Sequence, residues 1–207
     1  MDGTLFTALQ QPAFTALGAP VSWNEAVGDV TGLLCVALLA KKHIANWPIG
    51  ILNNLFFLLM FWSAKLYADA SLQLVFAALG VYGWWSWQRG GAMPETLRIR
   101  RTAPREWAWL AALAVLGQAA TTLWLSHHTD SPVPFFDASI LVLSLVATYG
   151  QARKVLESWW VWIVVDLISM PVYVSRHLYA TALVYFVFLC LCILGLRAWQ
   201  RSLAVAA

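Results

Sequence analysis

Five residues of one apolar stretch, Trp159, Trp162, Asp166, Ser169 and Tyr173, follow one another at intervals of three, four, three and four. On a helix of 3.6 residues per turn that spacing puts indole, carboxylate, hydroxyl and phenol along one face. Asp166 and Ser169 offer directional hydrogen bonds there, and Trp162 and Tyr173 offer flat π surfaces, a combination suited to an aromatic or cationic ring. The matching positions 112 residues earlier are Trp47, Gly50, Asn54, Phe57 and Phe61. Asn54 therefore corresponds to Asp166, with Asn53 beside it, and in the following apolar stretch Gln73 corresponds to Tyr185. These groups suit either a solute cage, with Asn53, Asn54, Gln73, Trp162, Asp166, Ser169, Tyr173 and Tyr185 as its lining, or interhelical glue in which Asn54 and Asp166 bond each other. Asp29 has no acidic counterpart, since Leu141 occupies its place, and local bonding is favoured for it. Ser144 and Thr148, four apart, suit bonds to their own helix backbone.

Other chemistries find little support. His43, His127, His128 and His177 lack ligand spacing, so no metal site is expected, and no cofactor is implied. Cys35, Cys190 and Cys192 fall within apolar runs, where thiols behave as small hydrophobes. A nucleophile paired with a base is not visible, so an enzyme is not expected. A retinal-type sensor would need a lysine in the final span, and Leu178 to Trp199 contains none. The basic residues form no patch interleaved with aromatics, which argues against nucleic acid as a partner.

The elements that position these side chains follow from composition. Of 207 residues, 61% are hydrophobic and only 11% charged, whereas a soluble domain carries roughly a quarter charged residues. The solvent for most side chains is therefore lipid. Crossing the bilayer takes about 20 mostly apolar residues. Seven stretches qualify: Asn24–Ala40, Trp47–Ala64, Asp69–Gln88, Arg105–Ser126, Phe135–Gly150, Trp159–Ser175 and Leu178–Trp199. Tight turns are expected at Lys65–Tyr67 and Arg176–Tyr179. Ahead of them, Leu5, Phe6, Leu9, Phe14 and Leu17 suggest a short interfacial segment, and nothing in the first twenty residues suggests a cleaved signal peptide.

Sliding the chain by 112 positions gives an ungapped match of Lys42–Arg89 onto Lys154–Arg201. Turn residues coincide as well as apolar ones: Leu66, Tyr67 and Ala68 match Leu178, Tyr179 and Ala180, Gly83 matches Gly195, and each copy ends on Trp-Gln-Arg. This is an internal duplication. A three-helix unit ends on the side opposite its start, so one extra helix must return the chain before the second copy begins. The fold class expected is thus all-α and polytopic, seven transmembrane helices as 3+1+3 with parallel three-helix repeats. The segments are 1–23 as an extracytoplasmic lead, 24–89 as the first repeat, 90–132 as basic loop and linker helix, 133–201 as the second repeat, and 202–207 as a tail. Parallel repeats share an axis along the membrane normal, where a pathway forms and where Asn54 and Asp166 are expected to meet near mid-membrane. That symmetry favours transport of a small solute.

Lys41, Lys42, Arg89, Arg98, Arg100, Arg101, Arg105, Arg153, Lys154, Arg197 and Arg201 all fall on one side, with only Lys65 and Arg176 opposite. By the positive-inside rule the crowded side is cytoplasmic, the N-terminus outside and the C-terminus inside.

The stretch NWPIGILNNLFFLLMFWSAKLYADASLQLVFAALGVYGWWSW, Asn46–Trp87, resembles the signature region of PnuC-type vitamin transporters, and the 3+1+3 layout extends the resemblance over nearly the whole chain. The resemblance implies a bacterial inner-membrane protein that passes nicotinamide riboside by facilitated diffusion, supplying NAD biosynthesis, with a separate cytoplasmic kinase trapping the product. It allows a homo-oligomer. Relatives on this scaffold are associated with thiamine, riboflavin or deoxynucleosides, so the cargo expected is a ring-bearing, nucleoside-like vitamin. SWEET sugar carriers share the repeat logic without these motifs.

Overall fold

A computed structural model of the chain describes residues 9, 11–16, 19–63, 67–92, 99–129, 131–175 and 179–206. Seven helices occupy the described residues: α1 (Trp23–Ala40), α2 (Asn46–Ser63), α3 (Tyr67–Ala92), α4 (Pro104–His128), α5 (Pro134–Ala152), α6 (Ser158–Ser175) and α7 (Tyr179–Ala206). Their starts lie close to the expected ones, while α3 and α7 run on past their apolar stretches. Among the described residues, α4, α5, α6 and Thr181–Val205 of α7 are each long and apolar enough to cross a membrane, and Ala26–Ala40 is a shorter apolar helix. The two expected tight turns lie mostly outside the described residues. A hairpin precedes the helices, β1 (Pro12–Ala16) paired antiparallel with β2 (Ala19–Ser22). Of the interfacial segment expected ahead of the helices, Leu5, Phe6 and Leu17 lie outside the described residues and Phe14 lies in β1; the hairpin packs on α1 and, through β2, on α7.

Helix packing follows the duplication. Within the first unit α1 lies against α2 and α2 against α3; within the second α5 lies against α6 and α6 against α7. Between units α1 packs on α7 and α5 on α3. These six contacts close a ring, α1–α2–α3–α5–α6–α7, and α4 stands outside it against α5. The chain has the architecture of a polytopic membrane protein.

Corresponding residues repeat the same local geometry. Lys42 and Lys154 both adopt left-handed backbone, with φ of 59° and 49°, a conformation that a non-glycine residue adopts only where its surroundings impose it. In each turn the lysine N–H returns to the carbonyl three residues back, Lys42 to Leu39 at 2.9 Å and Lys154 to Gln151 at 3.0 Å. The next N–H reaches five residues back, His43 to Leu38 at 2.9 Å and Val155 to Gly150 at 2.8 Å. This pattern ends one helix and turns the chain directly into the next.

The outward faces also correspond. Leu52, Leu55, Leu59 and Trp62 form the exposed stripe of α2, and their equivalents Val164, Leu167, Pro171 and Val174 are exposed on α6. Pro171 sits inside α6, where its missing N–H releases the carbonyl of Leu167 from the helical ladder.

Candidate solute-binding site

The stripe Trp159, Trp162, Asp166, Ser169, Tyr173 lies on the side of α6 opposite its exposed stripe. Trp159 and Ser169 are 0% exposed and Asp166 is 2% exposed, while Trp162 and Tyr173 are half-buried. The face meets α7 in successive layers. Trp159 lies against Gly195, where a Cβ would come within 2.4 Å of the indole. Asp166 shares a side-chain hydrogen bond with the Cys192 thiol. Tyr173 meets Tyr185 with ring centroids 4.9 Å apart and hydroxyls 3.5 Å apart. Tyr185 also lies within electrostatic reach of Asp166 and Asp29 and packs edge-on against Phe188 at 5.7 Å.

Four polar atoms on this face, Trp159 Nε1, Trp162 Nε1, Asp166 Oδ2 and Ser169 Oγ, are buried without a hydrogen-bond partner among the described residues. A group in that condition costs about 1–3 kcal/mol unless something satisfies it. Here they come from one helix face over about three turns, so together they present indole donors, a charged acceptor and a hydroxyl to whatever occupies the interior.

The other expected site residues fall into two groups. Asn53 is committed to α1, its Nδ2 donating to the carbonyl of Gly28 at 3.2 Å and to the Thr31 hydroxyl. Asn54 and Gln73 are half-buried and make no hydrogen bond among the described residues. The hydrogen bond considered between Asn54 and Asp166 is absent among the described residues; the carboxylate bonds Cys192 of its own unit instead. Thr148 donates to the Ser144 carbonyl at 2.8 Å, as its spacing indicated. Cys192 and Thr31 were not recognised from sequence, because a thiol in an apolar run looks like packing and a lone threonine has no pattern. Cys192 takes the place of Gly80 in the first unit, and that substitution is the signal that marks it.

The basic end of the ring is closed by four indoles. Trp47 and Trp87 meet edge-on at 5.6 Å, their equivalents Trp159 and Trp199 at 5.5 Å, and Trp87 and Trp199 join the two units at 6.4 Å. Gly83 and Gly195 make room for them, since a Cβ at either would meet the Trp47 or Trp159 ring at 2.3 or 2.4 Å. Lys154 stands over Trp87 with its ammonium 4.5 Å from the ring. Burial, with Lys42 adding repulsion, holds the Lys154 ammonium below its usual range. Asp166 lies seven residues along α6 from Trp159, roughly 10 Å at the helical rise, so Asp166 Oδ2 and Ser169 Oγ sit deeper in the ring than this aromatic floor. Among the described residues no group of His, Cys, Asp or Glu has the makings of a metal site.

Residues 22–201 match the family described as Nicotinamide mononucleotide transporter. The Nicotinamide riboside transporter PnuC of Escherichia coli is 30% identical, covering 89% of this chain and 88% of its own length. The Riboflavin/roseoflavin transporter RibM of Streptomyces davaonensis is 31% identical, covering 92% of this chain and 91% of its own. In three dimensions the chain resembles the crystal structure of the Vitamin B3 transporter PnuC, with a TM-score of 0.68 at 24% identity over 89% of this chain and 83% of that one.

Proposed function

The chain belongs to the nicotinamide mononucleotide transporter family, and from that premise we propose that it carries nicotinamide riboside across the membrane by facilitated diffusion, feeding NAD synthesis. The unsatisfied polar atoms of α6, Asp166 Oδ2 and Ser169 Oγ above all, support this most directly. A pyridinium ring carries positive charge, which the Asp166 carboxylate complements; its carboxamide and ribose offer the donors and acceptors that Trp162 Nε1, Ser169 Oγ and the amides of Asn54 and Gln73 lack. Tyr173 and Tyr185 give the ring a surface to lie on. Asn53 holds α1 against α2 and thereby places Asn54. The two parallel units rock against each other at the α1–α7 and α3–α5 seams, and the indole floor parts to release the solute. The crowded basic end faces the cytoplasm of a bacterium, the N-terminus lies outside, and a cytoplasmic kinase acts on the released solute without requiring contact with this chain.

A flavin-type vitamin is the second reading, favoured by the 31% identity to RibM. Purified protein in liposomes tests both. Saturable uptake of labelled nicotinamide riboside, without ATP or an ion gradient, is expected; saturable uptake of riboflavin alone would transfer the assignment, and no saturable flux of any aromatic vitamin would defeat it.

A further inference from the structure

We propose that the open cleft between the start of α4 and the end of α5, at the basic end of the molecule, seats the phosphate of an anionic phospholipid. The cleft has a volume of about 350 Å³ and is lined by Arg100, Arg105 and Arg153 together with Glu106, Trp109 and Tyr149. Three guanidiniums against one carboxylate leave two positive charges at its rim. Arg100 is held by Glu106 in a two-point contact of 2.6 and 2.8 Å, which keeps its guanidinium above its usual range. Arg153 spends one donor on the Tyr82 hydroxyl at 3.3 Å, and Arg105 makes no ion pair among the described residues. The start of α4 adds to the field, because Ala103 supplies no side-chain cap to the positive end of the helix dipole. A planar fork of N–H donors matches a phosphate better than it matches a halide or a neutral headgroup.

The surroundings favour a lipid over a soluble phosphate. Leu110 is the one α4 residue buried among the described residues, so the side of the helix turned away from α5 is open to the bilayer. From the cleft, Trp109, Leu113 and Leu116 descend α4 at intervals of four and three, 39%, 56% and 68% exposed. This stripe gives an acyl chain a track that begins where the phosphate sits. On the α5 side Tyr149 meets Trp109 edge-on at 5.4 Å and stacks on Tyr82 at 6.3 Å with planes 2° apart, which braces the cleft. A phosphorylated metabolite would use the arginines and leave the stripe idle. Basic pockets at the cytoplasmic ends of helices are where anionic headgroups gather.

Native mass spectrometry of the full-length protein, titrated with phosphatidylglycerol or phosphatidylcholine, reads the site directly. Phosphatidylglycerol should be retained preferentially, and R105Q/R153Q should weaken its retention about thirtyfold if each arginine counts as a typical headgroup contact. E106Q should strengthen retention by releasing Arg100, a gain that a misfolded protein cannot show. Equal retention of the two lipids, or indifference to all three substitutions, overturns the proposal. Displacement of phosphatidylglycerol by millimolar inorganic phosphate or adenosine monophosphate would overturn the lipid assignment in favour of a soluble phosphate.

Discussion

Asp166 Oδ2 is buried without a hydrogen-bond partner among the described residues, and its charge sets the residue apart from its neutral counterpart Asn54. A charge-assisted contact contributes about 1.5–3 kcal/mol. D166N should therefore raise the KM for a cationic nicotinamide riboside by roughly tenfold to a hundredfold while shifting that of a neutral reduced analogue far less; liposome uptake of both compounds measures the difference, and equal losses would make Asp166 a scaffold residue. The stripe around Asp166 was legible because Trp, Asp, Ser and Tyr at helical spacing in an apolar run have few other uses. Its partners were not. Cys192 looks apolar, and Asn53 bonds α1 rather than standing with Asn54, because two adjacent residues on a helix point about 100° apart. The cleft at the basic end was hidden for another reason: Arg100, Glu106, Tyr149 and Arg153 come from two separate stretches that only the α4–α5 packing brings together.

At the scale of elements, the repeat could be read from sequence because it conserves what helices need to meet and turn. Gly83 and Gly195 each give their space to an indole. G195A should cost about 1–3 kcal/mol by overpacking, since the Trp159 ring is wholly enclosed and cannot move aside. G117A, in α4, should instead be neutral or gain up to about 1 kcal/mol of helix propensity, because a Cβ there would meet Val142 at an ordinary 3.5 Å. Thermal unfolding of both variants in detergent separates these outcomes. The left-handed Lys42 and Lys154 escaped notice because lysine carries no signal for positive φ; the turn imposes it. The hairpin of β1 and β2 was equally hidden, since Pro12–Ser22 has neither strict alternation nor a recognised two-residue turn.

For the molecule as a whole, the ring leaves two seams between units, and alternating access requires both to slide. Gly32 of α1 approaches Phe188 of α7, where a Cβ would stand 3.1 Å from the ring. Cysteines at Gly32 and Phe188, in a chain freed of Cys35, Cys190 and Cys192, should be joined by a short thiol-reactive cross-linker. Uptake should then stop, and cleavage of the linker should restore it; undiminished flux in the joined protein would mean that this seam does not move. The order of helices within the ring was beyond the sequence, because hydropathy gives lengths and sides but not neighbours.

Because α4 packs on α5 from outside a circle that is already complete, the circle itself no longer needs it once the chain has been threaded. Two separate polypeptides, one bearing the first trio and one the second, would insert with the same polarity and come together as a pair with no tether between them.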